Sequence, residues 1–139
     1  MAEGARLTGL VPLLQVFDMV AARAFYIDLL GFAVHHAAPE VETAEGRFSH
    51  WMWLRRDDVS VMLNTAYDSN ERPAAVDGAR WAGHGDVCLY LGCSDIDAFH
   101  AGLAARGMKL DPPAATPHGM RQLTLTDPDG YLICVQAPA

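Results

Sequence analysis

The chain has 139 residues, of which 51% are hydrophobic and 19% charged, and a formal net charge of −7. That balance is globular rather than disordered, and no apolar run reaches the roughly 18 residues of a membrane span. The only adjacent basic pair, Arg55-Arg56, is followed at once by Asp57-Asp58, so the clustered Lys and Arg that nucleic acid requires are missing.

The N-terminal stretch MAEGARLTGL places an acid before its Arg and has no long apolar segment. It does not read as a secretory signal, and a cytoplasmic protein is expected. Val11–Phe17 is predicted as a strand, and Asp18 as the cap of a helix whose apolar face is Ala22, Phe25, Tyr26 and Leu29. Gly31 can end that helix in the left-handed conformation. Phe32–Ala37 reads as a short strand. Phe48–Arg55 and Val59–Thr65 read as a hairpin across Arg56-Asp57-Asp58. Residues 66–83, rich in Ala, Pro, Gly, Asp and Asn, read as a linker containing one short helical turn. Cys88–Cys93 is the next strand, Asp95 the next cap, and Ile96, Phe99 and Leu103 the apolar stripe of a helix ending at Gly107. Met120–Thr126 and Tyr131–Gln136 form a final hairpin across Asp127-Pro128-Asp129-Gly130, where Pro fixes φ and Gly accepts a positive one.

The two halves echo each other. Residues 11–32 and 88–108 share an apolar run, an Asp, a helical pattern with Phe, and a closing Gly, with a single-residue gap between the copies. The expectation is an α+β fold: one domain spanning residues 1–139, made of two tandem βαβββ modules at 8–65 and 84–137 joined by 66–83. The three cysteines, Cys88, Cys93 and Cys134, form no CxxC pair and read as reduced thiols.

VPLLQVFDMVAARAFYIDLLGF, RDDVSVMLN and HGMRQLTLTDPDGYLICVQ, in this order and with the internal repeat, resemble the vicinal-oxygen-chelate superfamily of glyoxalases, bleomycin-resistance proteins and extradiol dioxygenases. The pattern is closest to the bleomycin-resistance type. The resemblance implies curled mixed sheets enclosing a cleft, completed within one chain or across a dimer. It also implies where metal-dependent members carry their His and Glu ligands. Counted from Asp18, Asp95 and Gly130, and aligned on the fourth strand, those positions are Val11, Leu63, Cys88 and Cys134. Val and Leu cannot donate to a metal, so no cofactor is expected. A displaced zinc site from His50, Cys88 and Cys134 is the alternative. His35 and His36 are adjacent, so regular alternation puts them on opposite faces and argues against a chelating pair.

Strand parity across the Arg56-Asp57 turn then proposes the cleft lining: Leu13 and Gln15 from the first strand; His50, Met52, Val61 and Leu63 from the hairpin; and Tyr90 and Cys134 from the second half, with His118 at the rim. Trp51 and Trp53 fall on the other face and are expected under the first helix. Trp81, in a Gly-flanked loop, is a candidate lid or dimer contact, and His84 an exposed loop residue. Three functions are compatible with this reading. The first is a metal-free binding protein that sequesters an antibiotic-like small molecule, planar or, given the acidic balance, cationic. The second is a metal-dependent lyase, isomerase or dioxygenase with a displaced metal site. The third is an interaction module. A homodimer is expected because open sheet edges need covering.

Overall fold

Two four-stranded sheets account for most of the protein, which a computed structural model describes over residues 4–139. The first contains β1 (Leu13–Val16), β2 (Ala33–Ala37), β5 (Trp51–Arg56) and β6 (Val59–Thr65), in the order β1-β6-β5-β2. The second contains β7 (Cys88–Gly92), β8 (Ala114–Ala115), β9 (Met120–Thr126) and β10 (Leu132–Pro138), in the order β7-β10-β9-β8. In each sheet the first strand runs parallel to the last, and the last pairs antiparallel with the one before it. The fold is α+β, with the same wiring used twice. A small hairpin, β3 (Val41–Thr43) with β4 (Gly46–Phe48), interrupts the first sheet. Its presence splits the single strand expected over Phe48–Arg55. Phe48 pairs with Val41, and β5 starts afresh at Trp51. No helix among the described residues is long and apolar enough to cross a membrane.

Each main helix begins where an aspartate can satisfy its free N–H groups. Asp18 Oδ1 accepts from Val20 and Ala21 at 2.9 and 3.3 Å, starting α1 (Met19–Arg23). The helix continues through Ala24–Leu29 with wider turns, in which the Leu30 N–H reaches back five residues to the Phe25 carbonyl. Asp95 accepts from Ala98 at 3.0 Å and starts α3 (Ile96–Ala105). The segment expected as a linker carries α2 (Gly78–Gly83), capped by Asp77.

The core forms where each helix lies on one face of its sheet. Leu14, Val16, Met52, Leu54, Val61 and Leu63 are buried with Met19, Ala22, Phe25 and Tyr26. Leu123, Leu125, Ile133 and Val135 are buried with Ile96 and Leu103, and the two groups form one cluster. Each fully buried Leu or Val contributes about 1.5–3 kcal/mol by leaving water.

The halves are joined by polar contacts at the β9–β10 turn. The Tyr26 hydroxyl donates to Asp127 Oδ2 at 2.6 Å, and the Phe17 N–H donates to Asp129 Oδ1 at 2.7 Å. Asp127 Oδ1 also accepts from the N–H groups of Asp129 and Tyr131, both at 2.9 Å. His84 is not the exposed loop residue expected. Its ring stacks on Tyr131 at 4.1 Å, and Nδ1 meets the Asp129 carbonyl at 2.6 Å. Trp81 sits on the same turn, with Nε1 donating to the Pro128 carbonyl at 3.0 Å. On the far side, Arg56 and Arg106 donate to the Leu30 and Leu29 carbonyls at the end of the first helix. Burial raises the Tyr26 hydroxyl and the Asp127 carboxyl above their ordinary values. Burial also pushes Asp129 up to about 6. The Phe17 N–H and His84 oppose that rise, and the charge of Asp127 adds to it.

Two predictions follow from this junction. Gly130 has φ +88°, and a Cβ there would press on the Trp81 carbonyl oxygen. Gly130→Ala should therefore cost at least about 2 kcal/mol, from left-handed strain plus displacement of the Trp81 segment, read as a lower urea midpoint. The folded Asp129 holds its proton to higher pH than the unfolded chain does. Its contribution to stability is complete below about pH 4 and is lost as pH rises through about 6. Asp129→Asn keeps an acceptor for Phe17 and removes the charge. It should match the wild type near pH 4 and exceed it by up to about 2 kcal/mol at pH 7.5, measured by urea denaturation at both values.

Candidate ligand-binding site

One helix covers one face of each sheet, so the opposite faces are open. On the first sheet the register fixes which residues occupy each face. Leu14, which is buried, pairs with Leu63, and Leu63 pairs with Met52; Leu13 pairs with Met62, and Gln15 with Asn64. The open face therefore carries Leu13, Gln15, Trp51, Trp53, Arg55, Ser60, Met62 and Asn64. On the second sheet, Ile133 and Val135 are buried. Cys88, Tyr90, Gln122, Thr124, Leu132, Cys134 and Gln136 alternate with the covered positions and take the open side.

The placements expected from sequence divide along this line. Leu13, Gln15, Tyr90 and Cys134 stand on open faces, Leu13 and Tyr90 well exposed and Cys134 beneath its neighbours. Met52, Val61 and Leu63 do not. They lie in the core under the first helix, and the face they were expected to share with the cleft belongs instead to Trp51, Trp53, Met62 and Asn64. The hairpin parity is thus the reverse of that expected, and the two tryptophans are not packing beneath the helix. The signal was present in the sequence. Val59, Val61 and Leu63 are uniformly apolar, whereas Ser60, Met62 and Asn64 include two polar side chains, and it is the apolar row that a single covering helix claims.

His50 precedes β5 and is held from both sides. Nδ1 lies 2.6 Å from Thr65 Oγ1 and Nε2 lies 2.7 Å from Ser69 Oγ. Cys88 and Cys134 belong to the second sheet, adjacent to each other. The alternative zinc set of His50, Cys88 and Cys134 is not brought together, and no cluster of three or more His, Cys, Asp or Glu with metal-binding geometry occurs among the described residues. Burial raises the Cys134 thiol, so it is not an activated nucleophile. His118 is exposed in the turn before β9, at the rim of the second sheet.

Each open face carries a cross-strand pair of carboxamides. Asn64 Nδ2 donates to Gln15 Oε1 at 3.2 Å, and Gln122 Nε2 donates to Gln136 Oε1 at 2.9 Å. Asn64 and Gln136 stand at matching registers, opposite Gln15 on β1 and Gly92 on β7. In each pair one amide oxygen and one NH₂ group remain available to a ligand. Between the start of β6 and the edge strand β7 opens a crevice of about 440 Å³, lined in part by Leu10, Pro12, Asp58, Ser60, Cys88 and Tyr90. That size lies within the range of small-molecule sites.

Residues 9–135 match the model of the Glyoxalase/Bleomycin resistance protein/Dioxygenase superfamily. Among solved structures, TnmS3, described as an antibiotic binding protein from Streptomyces sp. CB03234, is 28% identical. The alignment covers 99% of this chain and 100% of that one, with a TM-score of 0.66. A glyoxalase/bleomycin resistance protein from the same organism is 29% identical over 90% of this chain and 96% of that one, with a TM-score of 0.58. The bleomycin-binding protein from Streptomyces verticillus, solved with copper(II)-bleomycin, has the same fold at 21% identity, with 97% and 98% of the chains covered and a TM-score of 0.64. A search against the curated proteins gives no significant match. With the repeated βαβββ wiring and a family match over nearly its whole length, the chain belongs to the Glyoxalase/Bleomycin resistance protein/Dioxygenase superfamily.

Proposed function

We propose that the protein binds and sequesters a planar, uncharged small molecule of antibiotic type on its open sheet faces, without chemical change to it. The observation that carries this reading is the make-up of those faces: aromatic rings (Trp51, Trp53, Tyr90) beside carboxamide pairs (Gln15–Asn64, Gln122–Gln136), with no carboxylate among the strand positions described. Rings offer stacking area and carboxamides offer both donors and acceptors, which suits a flat neutral molecule with polar edges. The antibiotic-binding and bleomycin-binding proteins of the same fold support a binding role. Binding of this kind calls for no catalytic metal. With the parity corrected, the positions that metal-dependent relatives use for ligands hold Val11, Cys88, Cys134 and, in place of Leu63, the neighbouring Met62 or Asn64.

The proposal includes a cytoplasmic homodimer. The accessible surface is 8527 Å², against about 7,100 Å² for a compact monomer of this mass. Leu7 and Leu10 of the extended N-terminal arm are almost wholly exposed, and Val87 and Tyr90 lie exposed at the edge strand β7. A second copy would cover these residues and complete the crevice beside them.

Trp51 and Trp53 make the site its own reporter. Titration with phenazine, a flat neutral probe, should quench tryptophan fluorescence saturably, and the recovered probe should be unchanged by mass spectrometry. Tyr90→Ala should weaken binding about 5- to 30-fold, as loss of an aromatic anchor does, while moving stability by less than about 0.5 kcal/mol because the side chain is exposed. Unaltered affinity in that variant would remove Tyr90 from the site. In light scattering after size exclusion, the wild type should run as a dimer. Leu7→Ser with Leu10→Ser should shift it toward monomer.

A further inference from the structure

The edge strand β2 contains a bulge. Val34 pairs with Leu54 and His36 with Trp53, so His35 is the extra residue between two consecutive pairs. A bulge cancels the alternation that would send adjacent side chains to opposite faces. Both imidazoles therefore stand on the open side, over the same indole: the Trp53 ring lies 4.9 Å from His35 and 6.1 Å from His36, between centroids. The two imidazole centroids are 4.6 Å apart, with the rings at 71°.

That separation has a chemical meaning. A metal–imidazole bond of about 2.0 Å plus roughly 1.1 Å from nitrogen to ring centre places each ring centre about 3.1 Å from an ion. Two rings at right angles about it then lie about 4.4 Å apart, and two at the tetrahedral angle about 5.1 Å. The observed 4.6 Å is nearer the right-angled case. The pair is also free to bind. His50, His84 and His100 each have a hydrogen-bonding partner on a ring nitrogen, whereas His35 and His36 have none among the described residues, and both are exposed.

We infer that His35 and His36 form a two-imidazole site for a first-row transition-metal ion that favours square or octahedral coordination, copper(II) or nickel(II), at the β2 edge. Two protein ligands leave the remaining positions of the ion to water or to a chelating small molecule. The site is separate from the strand positions that metal-dependent relatives use, and it supplies no catalytic set. It stands whether or not the carboxamide-lined faces bind phenazine.

The test is metal binding by the full-length protein at pH 7.5. Nickel(II) titration by calorimetry should give one equivalent bound, and copper(II) loading should give an electron paramagnetic resonance spectrum with splitting from two nitrogens. His35→Ala and His36→Ala should each weaken nickel binding at least 10-fold, with unchanged far-ultraviolet circular dichroism, while His118→Ala leaves it unaltered. Filling the bulge position with an apolar ring, His35→Phe, should abolish the two-nitrogen signal while keeping the strand. Nickel binding that persists in the His35→Ala, His36→Ala double variant, or a copper spectrum unaffected by either change, would overturn the inference.

Discussion

A single helix cannot cover both faces of a four-stranded sheet, and every functional feature of this protein depends on which face it covers. In the first sheet the choice is made by the row Leu14, Leu63, Met52, Val61 and Leu54, in which every member is apolar. Exposing that row instead would forfeit roughly 1.5–3 kcal/mol for each large side chain. The alternative register would bury Gln15, Asn64, Ser60 and Arg55 beneath Met19 and Tyr26 with few partners, at a cost of about 1–3 kcal/mol for each unsatisfied group. Both terms favour the observed arrangement. What remains outside is a face of rings and carboxamides, fixed by the needs of the core.

The same helix imposes the junction. Tyr26 is buried against the second half, so its hydroxyl needs an acceptor, and Asp127 supplies one. Asp127 in turn must bring its charge out of water, and it is held by two backbone N–H groups of its own turn. Asp129 is less well provided for, with one N–H from Phe17 at 2.7 Å, and burial leaves its carboxyl holding a proton to about pH 6. A buried acid of this kind is weak evidence for stability. Its benefit is alignment, because contacts between residues 112 and 101 positions apart, Phe17 with Asp129 and Tyr26 with Asp127, lock the β9–β10 turn against the start and middle of the first helix.

These long-range contacts mark the boundary of what sequence could deliver. The repeat, the Asp caps, most strands and the Asp-Pro-Asp-Gly turn were legible, because each depends on neighbours within a few residues. The parity of the hairpin was legible in principle through Ser60 and Asn64. The opposite parity is expected when Leu63 is aligned with the fourth-strand ligand position of metal-dependent relatives and so turned toward the cleft, but the helix has the prior claim on that row. The β2 bulge was not legible: AVHHA carries no Gly or turn residue to announce an inserted position, and regular alternation assigned His35 and His36 to opposite faces. His84 and Trp81 could not be placed either, since their partners, Tyr131, Asp129 and Pro128, come together only once both halves have folded.

Charge shows the same distinction between composition and position. A net charge of −7 invites a cationic ligand, but a ligand responds to the field where it sits. Asp18, Asp77 and Asp95 are engaged as helix caps, and Asp127 and Asp129 are buried in a turn. Asp97 is paired with Arg121, and Glu40 and Glu42 with Arg47, while Asp57 and Asp58 tip the β5–β6 hairpin. The acids that dominate the formal count therefore lie off the open strand positions, where the one permanent charge is the cation Arg55. Asp58 borders the crevice beside Ser60 and Tyr90, and Asp77 and Asp129 line a small pocket with Gln15, so the nearest carboxylates stand at the margins of these faces. For the binding role proposed above, selectivity rests on ring area and on the free donors and acceptors of four carboxamides, which suit a flat, polar-edged, neutral molecule.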